Sequence, residues 1–165
     1  MKRTIAVLTG LLMLGLAAPA NSGFGPAPGM FLRVGRTLQE GNPASYCWSS
    51  RDGSGMCVDF IGERWPRGKS APADHRARIR VGDEYRPRGV RMRVHRRVDG
   101  EGDPIGHGHG VRHRVTKETR NGRTVYFIRF HVPKSAGPYY LRTRAKFDER
   151  GERGIVRYHF HLRLE

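Results

Sequence analysis

The chain has 165 residues, and its 31 Lys and Arg against 15 Asp and Glu give a formal net charge of +16. Hydrophobic residues make up 37% of the sequence, and only two residues are Cys. This length fits one ordinary domain, and the composition excludes a large multidomain enzyme, a coiled coil, a collagen and a polytopic membrane protein.

The first twenty residues have the pattern of an export signal. Lys2 and Arg3 supply a short positive segment, Ile5–Leu16 is apolar, and small residues at 18–20 suit signal peptidase. We predict a signal peptide at 1–20, with an uncleaved N-terminal anchor as the alternative. Because no later apolar run reaches 18 residues, we expect no membrane span after cleavage. The mature protein is therefore predicted to be secreted, in an extracytoplasmic location at the cell envelope.

Residues 21–29 are rich in Gly and Pro and predict a flexible lead-in, followed by a single β domain at 30–165. In an exported chain, two Cys most simply form one disulfide. A three-residue loop at 51–53 places Gly53 where a hairpin needs a left-handed conformation. That register sets Cys47 opposite Cys57, which predicts a disulfide across the hairpin.

The mature chain otherwise consists of short alternating runs separated by turn residues, which is typical of strands. After Met30–Val34 and the segments around Tyr46 and Cys57, a polar loop is expected at 62–74 and a glycine-rich loop at 99–110. The remaining predicted strands are Arg76–Val81, Val90–Val98, Val111–Thr119, Thr124–Val132, Tyr139–Phe147 and Ile155–Leu164.

The clearest predicted hairpin is centred on Asn121 and Gly122, which suit the two positive-φ positions of a type I′ turn. With a two-residue turn, three pairs define one apolar face that Tyr126 joins, namely Val115 with Ile128, His113 with Phe130, and Val111 with Val132. Arg114 and Arg129 then share the other face.

Eight to ten short strands without a helix predict an all-β sandwich or barrel. The segment Ser135-Ala-Gly-Pro-Tyr-Tyr-Leu141 is similar to the Asp-x-Gly-x-Tyr-x-Cys motif that begins strand F of immunoglobulin domains. Together with the closing hairpin, residues 135–164 resemble secreted bacterial immunoglobulin-like domains. The resemblance implies an immunoglobulin-like antiparallel β-sandwich with Tyr139 as the tyrosine-corner residue, its ring buried and its hydroxyl bonded to nearby backbone. Ser135 and Leu141 depart from the motif, and the resemblance carries no activity.

Histidines supply the alternative function. A His-x-His spacing on a strand presents both imidazoles to one side, a geometry that zinc and copper sites use. His107 with His109 and His159 with His161 therefore predict a metal-binding extracytoplasmic protein as the second hypothesis. We expect no cofactor under the first hypothesis, because nearby arginines repel a cation and glycines surround the loop histidines. Alternating acids at 99–103 lack the full calcium-loop spacing.

The sequence predicts no catalytic residues. It contains no nucleophile elbow and no spacing that places His, Ser and Asp together. The carboxylate pairs at 83–84 and 148–149 are adjacent residues, which point to opposite faces of a strand. We therefore expect that the protein is not an enzyme.

Arginine recurs on one side of the predicted strands, where residues i and i+2 lie side by side. The expected polyanion-binding residues are Arg91, Arg93, Arg112, Arg114, Arg129, Arg142, Arg144, Lys146 and Arg163. Such a face attracts an anionic envelope polymer or an envelope protein, whereas the export signal disfavours a dedicated nucleic-acid partner. The alternative is a solvated basic surface without a partner, and no oligomeric state follows from the sequence.

Overall fold

The computed structural model describes residues 28–59, 65–82, 85–149 and 152–165. The predicted signal peptide at 1–20 and residues 21–27 of the predicted lead-in lie outside these described residues. Within them the chain forms twelve strands and no helix, so the all-β prediction is confirmed. It follows that no helix in this part of the chain is long and apolar enough to cross a membrane.

The strands are short at the beginning of the chain and longest at its end. In chain order they are β1 (Met30–Val34), β2 (Thr37–Glu40), β3 (Asn42–Ser49), β4 (Gly55–Asp59), β5 (Lys69–Ala71), β6 (Arg76–Val81), β7 (Pro87–His95), β8 (His109–Gly110), β9 (His113–Arg120), β10 (Arg123–His131), β11 (Gly137–Glu149) and β12 (Glu152–Leu164).

The strands form two sheets around one core. Sheet A has the order β2-β1-β6-β10-β9, with every neighbouring pair antiparallel. Sheet B has the antiparallel order β4-β3-β12-β11-β7-β8, and β5 pairs parallel with the end of β12. Alternate residues of both sheets point inward, and Leu32 and Ile79 of sheet A share one buried cluster with Leu141 and Phe160 of sheet B. The architecture is therefore a β-sandwich.

A buried glutamine links the two sheets at one edge of β12. Along that edge β3 ends its pairing at His159 and β5 begins at Leu162, which leaves the backbone of His161 without a strand partner. The Gln39 side chain on β2 fills the gap, since its Nε2 donates to the His161 carbonyl at 2.8 Å and its Oε1 accepts the His161 amide at 2.8 Å. The Gln39 side-chain amide thus makes the two backbone hydrogen bonds that a residue of a neighbouring strand would otherwise make.

The disulfide hairpin has the predicted register. Cys47 lies opposite Cys57, the two form a disulfide, and the loop between the strands contains Gly53 with a φ of 83°. The closing bond, from the Ser50 amide to the Ser54 carbonyl, leaves three residues in the loop. The predictions for Cys47, Cys57 and Gly53 are therefore confirmed.

The hairpin of β9 and β10 also has the predicted turn. Asn121 and Gly122 have φ values of 50° and 74°, and Val115 lies opposite Ile128. The predicted pairing of Val111 with Val132 is wrong, because β9 begins only at His113. The face of the hairpin that carries Arg114 and Arg129 also contains apolar residues. Val125 and Phe127 point to the outside of sheet A and are nevertheless buried.

Three strands, β2, β5 and β8, were not predicted; β5 lies inside the expected polar loop at 62–74, and β8 lies inside the expected glycine-rich loop at 99–110. All three are too short to show an alternating pattern; β5 is defined by its pairing with the end of β12, and it also contacts β2. Lys69 Nζ, for example, donates to the Leu38 carbonyl at 2.8 Å. The strand expected at Val90–Val98 is shifted to Pro87–His95, where it pairs with β11.

The expectation for Tyr139 holds for the ring and fails for the hydroxyl. The ring is 1% exposed, but the hydroxyl has no hydrogen-bond partner among the described residues. Burial raises the pKa of Tyr139. The side chain is therefore held by apolar packing and not by the backbone hydrogen bond that the resemblance implied.

Candidate functional site

The outer face of sheet B carries arginines in register on three neighbouring strands. Arg144 on β11 lies directly between Arg91 on β7 and Arg157 on β12. Residues directly opposite each other on antiparallel strands have Cβ atoms about 4.5–5.5 Å apart. We call Arg91, Arg144 and Arg157 the basic row. It points outward because Thr143 and Ala145, which flank Arg144, are fully buried on the inner face.

Within the described part of the chain, the basic row has no acidic partner. Among the described residues, none of the three guanidinium groups takes part in an ion pair. Ion pairs elsewhere in this part of the chain include those from Arg129 to Glu118 and from His131 and Lys134 to Asp74. Like charges that lie directly opposite in a sheet destabilise it, so the repulsion within the basic row is uncompensated inside the described chain.

Further cations extend the basic row in both directions along the strands. On one side, Lys146 lies opposite Arg88, and on the other side Arg142 lies between Arg93 and His159. Burial and then the charge of Arg157 lower the pKa of Arg142. Arg93 donates from Nη1 to the His107 carbonyl at 2.7 Å, which attaches the loop after β7 to this face.

The nine predicted polyanion-binding residues do not form one surface. Six of them lie on strands of sheet B at outward positions, namely Arg91, Arg93, Arg142, Arg144, Lys146 and Arg163. Arg114 and Arg129 lie opposite each other on the outside of sheet A, and Arg112 is exposed in the segment before β9. The sequence pattern of a strand does not show to which sheet the strand belongs, since that depends on pairing between distant strands.

Two cations on this face were not predicted to bind a polyanion: Arg157, which is part of the basic row, and Arg88, which lies beside it. The signal for Arg157 was present in the sequence, because it continues the alternation of His159, His161 and Arg163 along β12. Arg88 gave no such signal, since β7 begins three residues before the predicted strand and contains Gly89 with a φ of 56°.

A cluster of aromatic rings and imidazoles borders the cations on the same face. Trp65 stacks on His159 with ring centroids 4.3 Å apart, and Tyr140 stacks on His161 at 4.1 Å. Trp65 Nε1 donates to the Gly102 carbonyl at 2.6 Å. Two segments that the sequence assigned to loops thus fold over the outer face of β12, and this face is covered there instead of open to solvent.

His159 is fully buried beneath this cover. Burial, followed by the charges of Arg142, Arg157 and His95, lowers its pKa to about 4. The neutral imidazole is therefore the stable form at neutral pH, and it adds no charge to the surface.

The four histidines of the metal hypothesis are not assembled into one site. His107 is exposed just before β8 and His109 is exposed on β8, whereas His159 is buried under Trp65 and His161 lies against Tyr140. In the part of the chain that the structure describes, no group of three or more His, Cys, Asp or Glu has the spacing to hold a metal ion.

The acidic segment at 99–103 is organised by its own backbone. The Asp99 carboxylate accepts the amides of Glu101 at 3.0 Å and Asp103 at 2.8 Å. One carboxylate oxygen is thereby used in a local turn.

No protein family, no curated protein and no solved structure shows significant similarity to this chain.

Proposed function

We propose that this protein is an exported, non-catalytic binding protein of the cell envelope that holds an anionic polymer on the outer face of sheet B. The observation that carries the proposal is the basic row: Arg91, Arg144 and Arg157 stand abreast on three strands with no carboxylate paired to them in the described chain.

The chemistry of the basic row fits phosphate groups in particular. The planar guanidinium fork donates two hydrogen bonds to a phosphate or carboxylate and stays charged at any biological pH. A bound polyanion would cancel the repulsion between neighbouring arginines and release its counterions, so binding is expected to weaken steeply as salt rises. An acidic surface of an envelope protein could use the same contacts, but fewer counterions would be released.

Two features support an extracytoplasmic location. The N-terminal sequence has the pattern of a signal peptide, and the two Cys form a disulfide across the β3–β4 hairpin. Disulfides persist in oxidising compartments and are rare in the cytosol.

The strand order supports the immunoglobulin-like assignment, which we retain as part of the proposal. In immunoglobulin constant domains one sheet has the strand order A-B-E-D and the other contains C, F and G, with C′ added in variable domains. The order β1-β6-β10-β9 in sheet A corresponds to A-B-E-D, and β8-β7-β11-β12 in sheet B corresponds to C′-C-F-G. In this comparison β2, β3, β4 and β5 form an insertion between the first two strands of the sandwich.

The direct test is retention of the exported protein on immobilised poly(glycerol phosphate) at low salt, with metals chelated and neutral dextran as the blank. Replacing Arg91, Arg144 and Arg157 together by Gln is expected to weaken retention at least about tenfold, because three phosphate contacts are lost.

The matched control removes the same number of charges from exposed positions outside the basic row, with Gln at Arg36, Arg51 and Arg97. If retention depends only on net charge, both triple variants lose it equally, and the proposal is wrong. Retention of the unaltered protein that is indifferent to salt would also contradict it and would favour a specific protein partner.

A further inference from the structure

A second concave surface lies on the outside of sheet A, on the other side of the sandwich from the basic row. Its volume is about 890 Å³, and β1, β2, β6 and β10 contribute its lining together with the β9–β10 turn. Pockets for small ligands usually have volumes of about 300–1,000 Å³. Nothing in the proposed polymer-binding function uses this depression.

The floor of the depression is apolar although it faces outward. Phe31 on β1 and Val125 and Phe127 on β10 form it, and Leu38 on β2 stands at its rim with 46% of its surface exposed. The opposite sides of β1 and β10 already contribute Leu32 and Ile128 to the core. These two strands therefore carry apolar side chains on both faces, which an ordinary solvent-facing sheet does not require.

The walls of the depression are cationic. Four arginines line it, namely Arg33, Arg78, Arg80 and Arg123, and its described lining includes no Asp or Glu. Arg33 and Arg78 lie directly opposite each other on β1 and β6. The Arg78 guanidinium carbon lies 5.1 Å from the centroid of the Phe127 ring, so a cation–π contact holds positive charge against the apolar floor.

The combination selects one class of ligand. An uncharged apolar ligand gains nothing from four arginines, and an inorganic anion or a hydrophilic polymer gains nothing from Phe31, Leu38 and Val125. A molecule with an anionic head and an apolar chain uses both parts of the surface. Four cations also match the double charge of a phosphate monoester better than the single charge of a carboxylate.

We propose that this depression binds a single-chain lipid phosphate. The acyl chain lies along Phe31, Leu38 and Val125, and the phosphate is held by the surrounding arginines. The site is separate from the basic row, so either proposal can fail without the other.

The probe for this proposal is dodecyl phosphate, added below its micelle concentration and followed by isothermal titration calorimetry. Two further ligands test the phosphate head and the alkyl chain separately. Inorganic phosphate has the head without the chain, and dodecyl maltoside has the chain without the charge. We expect one dodecyl phosphate per protein, bound at least about tenfold more tightly than either of the others, because each lacks one set of contacts. Equal binding of inorganic phosphate would overturn the proposal, as would equal binding of the maltoside.

Matched substitutions at the two edges of sheet A locate the site. Leu38→Asp places a carboxylate at the rim and is expected to weaken dodecyl phosphate binding about tenfold or more, by repulsion and loss of apolar contact. Val115→Asp makes the same change on β9, at a side chain that is 40% exposed and outside the depression, and should leave binding within about twofold.

A second variant avoids any change in the apolar floor. Arg33→Gln, at an exposed position, should weaken binding of dodecyl phosphate and leave dodecyl maltoside unaffected. If Leu38→Asp and Arg33→Gln both bind dodecyl phosphate as the unaltered protein does, the assigned site is wrong. The Gln variant at Arg91, Arg144 and Arg157 should bind dodecyl phosphate normally, which separates this result from that of the polymer experiment.

Discussion

Gly154 shows how closely single residues are fitted inside sheet B. It lies opposite Trp48 across β12 and β3, and the indole covers its Cα so closely that a Cβ would lie 2.0 Å from Trp48 Cε3. Trp48 is 5% exposed and packs against Tyr85 and Phe147 with ring centroids 5.3 Å and 6.0 Å away. The indole therefore cannot move aside without disturbing the core around it.

Gly154→Ala is accordingly expected to lower the free energy of unfolding by about 1–3 kcal/mol, the usual cost of overpacking a core. The measurement is urea denaturation. Gly110→Ala is the control, because a Cβ at that position meets no atom within 4 Å. Equal stability of the two variants would show that Trp48 does not lie over Gly154 as described.

The two buried tyrosines differ in one hydrogen bond, which allows a direct comparison. The Tyr139 hydroxyl has no partner among the described residues, whereas the Tyr158 hydroxyl donates to the Pro28 carbonyl. Tyr139→Phe is expected to leave the free energy of unfolding unchanged or slightly higher, and Tyr158→Phe to lower it by about 1 kcal/mol. A loss in Tyr139→Phe as large as that in Tyr158→Phe would restore the tyrosine corner that the sequence motif implied.

At the scale of elements, the cover over β12 makes stability depend on pH. His159 has a pKa of about 4 in the folded protein because it is buried, against 6.5 for an ordinary histidine. Between pH 6.5 and 4 the unfolded chain therefore binds a proton that the folded chain does not. Burial also lowers the pKa of His95 and of His161, which adds to the effect in the same direction.

Stability is thus expected to be highest above pH 6.5 and to fall as the pH is lowered towards 4, with His159 alone accounting for up to about 3 kcal/mol. The test is urea denaturation at pH 7 and at pH 4.5. His159→Gln should flatten this dependence, and His107→Gln, at an exposed loop position, should not. The same pH dependence in all three proteins would contradict the buried, neutral state of His159.

The sequence predicted those elements whose determinants are local. Asn121 and Gly122 define their turn by backbone conformation alone, and the spacing of Cys47 and Cys57 defines its hairpin. The strand β5 could not be found in this way, because its three residues are held by parallel pairing with the end of β12. The cover of Trp65 over His159 was missed for the same reason, since the residues that meet are far apart in the chain.

At the scale of the whole molecule, the arrangement of charge was only partly predictable. Alternation along β7 and β11 was enough to place Arg91 and Arg144 on solvent-facing sides of their strands. That these residues stand abreast with Arg157 depends on the order of strands in sheet B, which no local pattern contains. Arg114 and Arg129 show the converse. Their strands have a similar alternation, but pairing between distant strands places them in sheet A and not in sheet B.

Two cationic surfaces lie on opposite sides of the sandwich, and we propose a different anionic ligand for each. The basic row on sheet B is flanked by further cations, whereas the depression on sheet A has an apolar floor. A protein that uses both could hold an anionic polymer on one side and a lipid phosphate on the other. The polymer-binding side is the central claim, because it accounts for an arrangement of like charges that folding alone does not favour.

The most direct test of that claim is the salt dependence of retention on poly(glycerol phosphate). The logarithm of the affinity should fall linearly with the logarithm of the salt concentration, and Gln at Arg91, Arg144 and Arg157 should reduce the steepness by about 2–3 units, somewhat less than one per lost contact. Gln at Arg36, Arg51 and Arg97 should leave the slope of the unaltered protein. An identical slope for all three proteins would contradict the assignment of polymer binding to the outer face of sheet B.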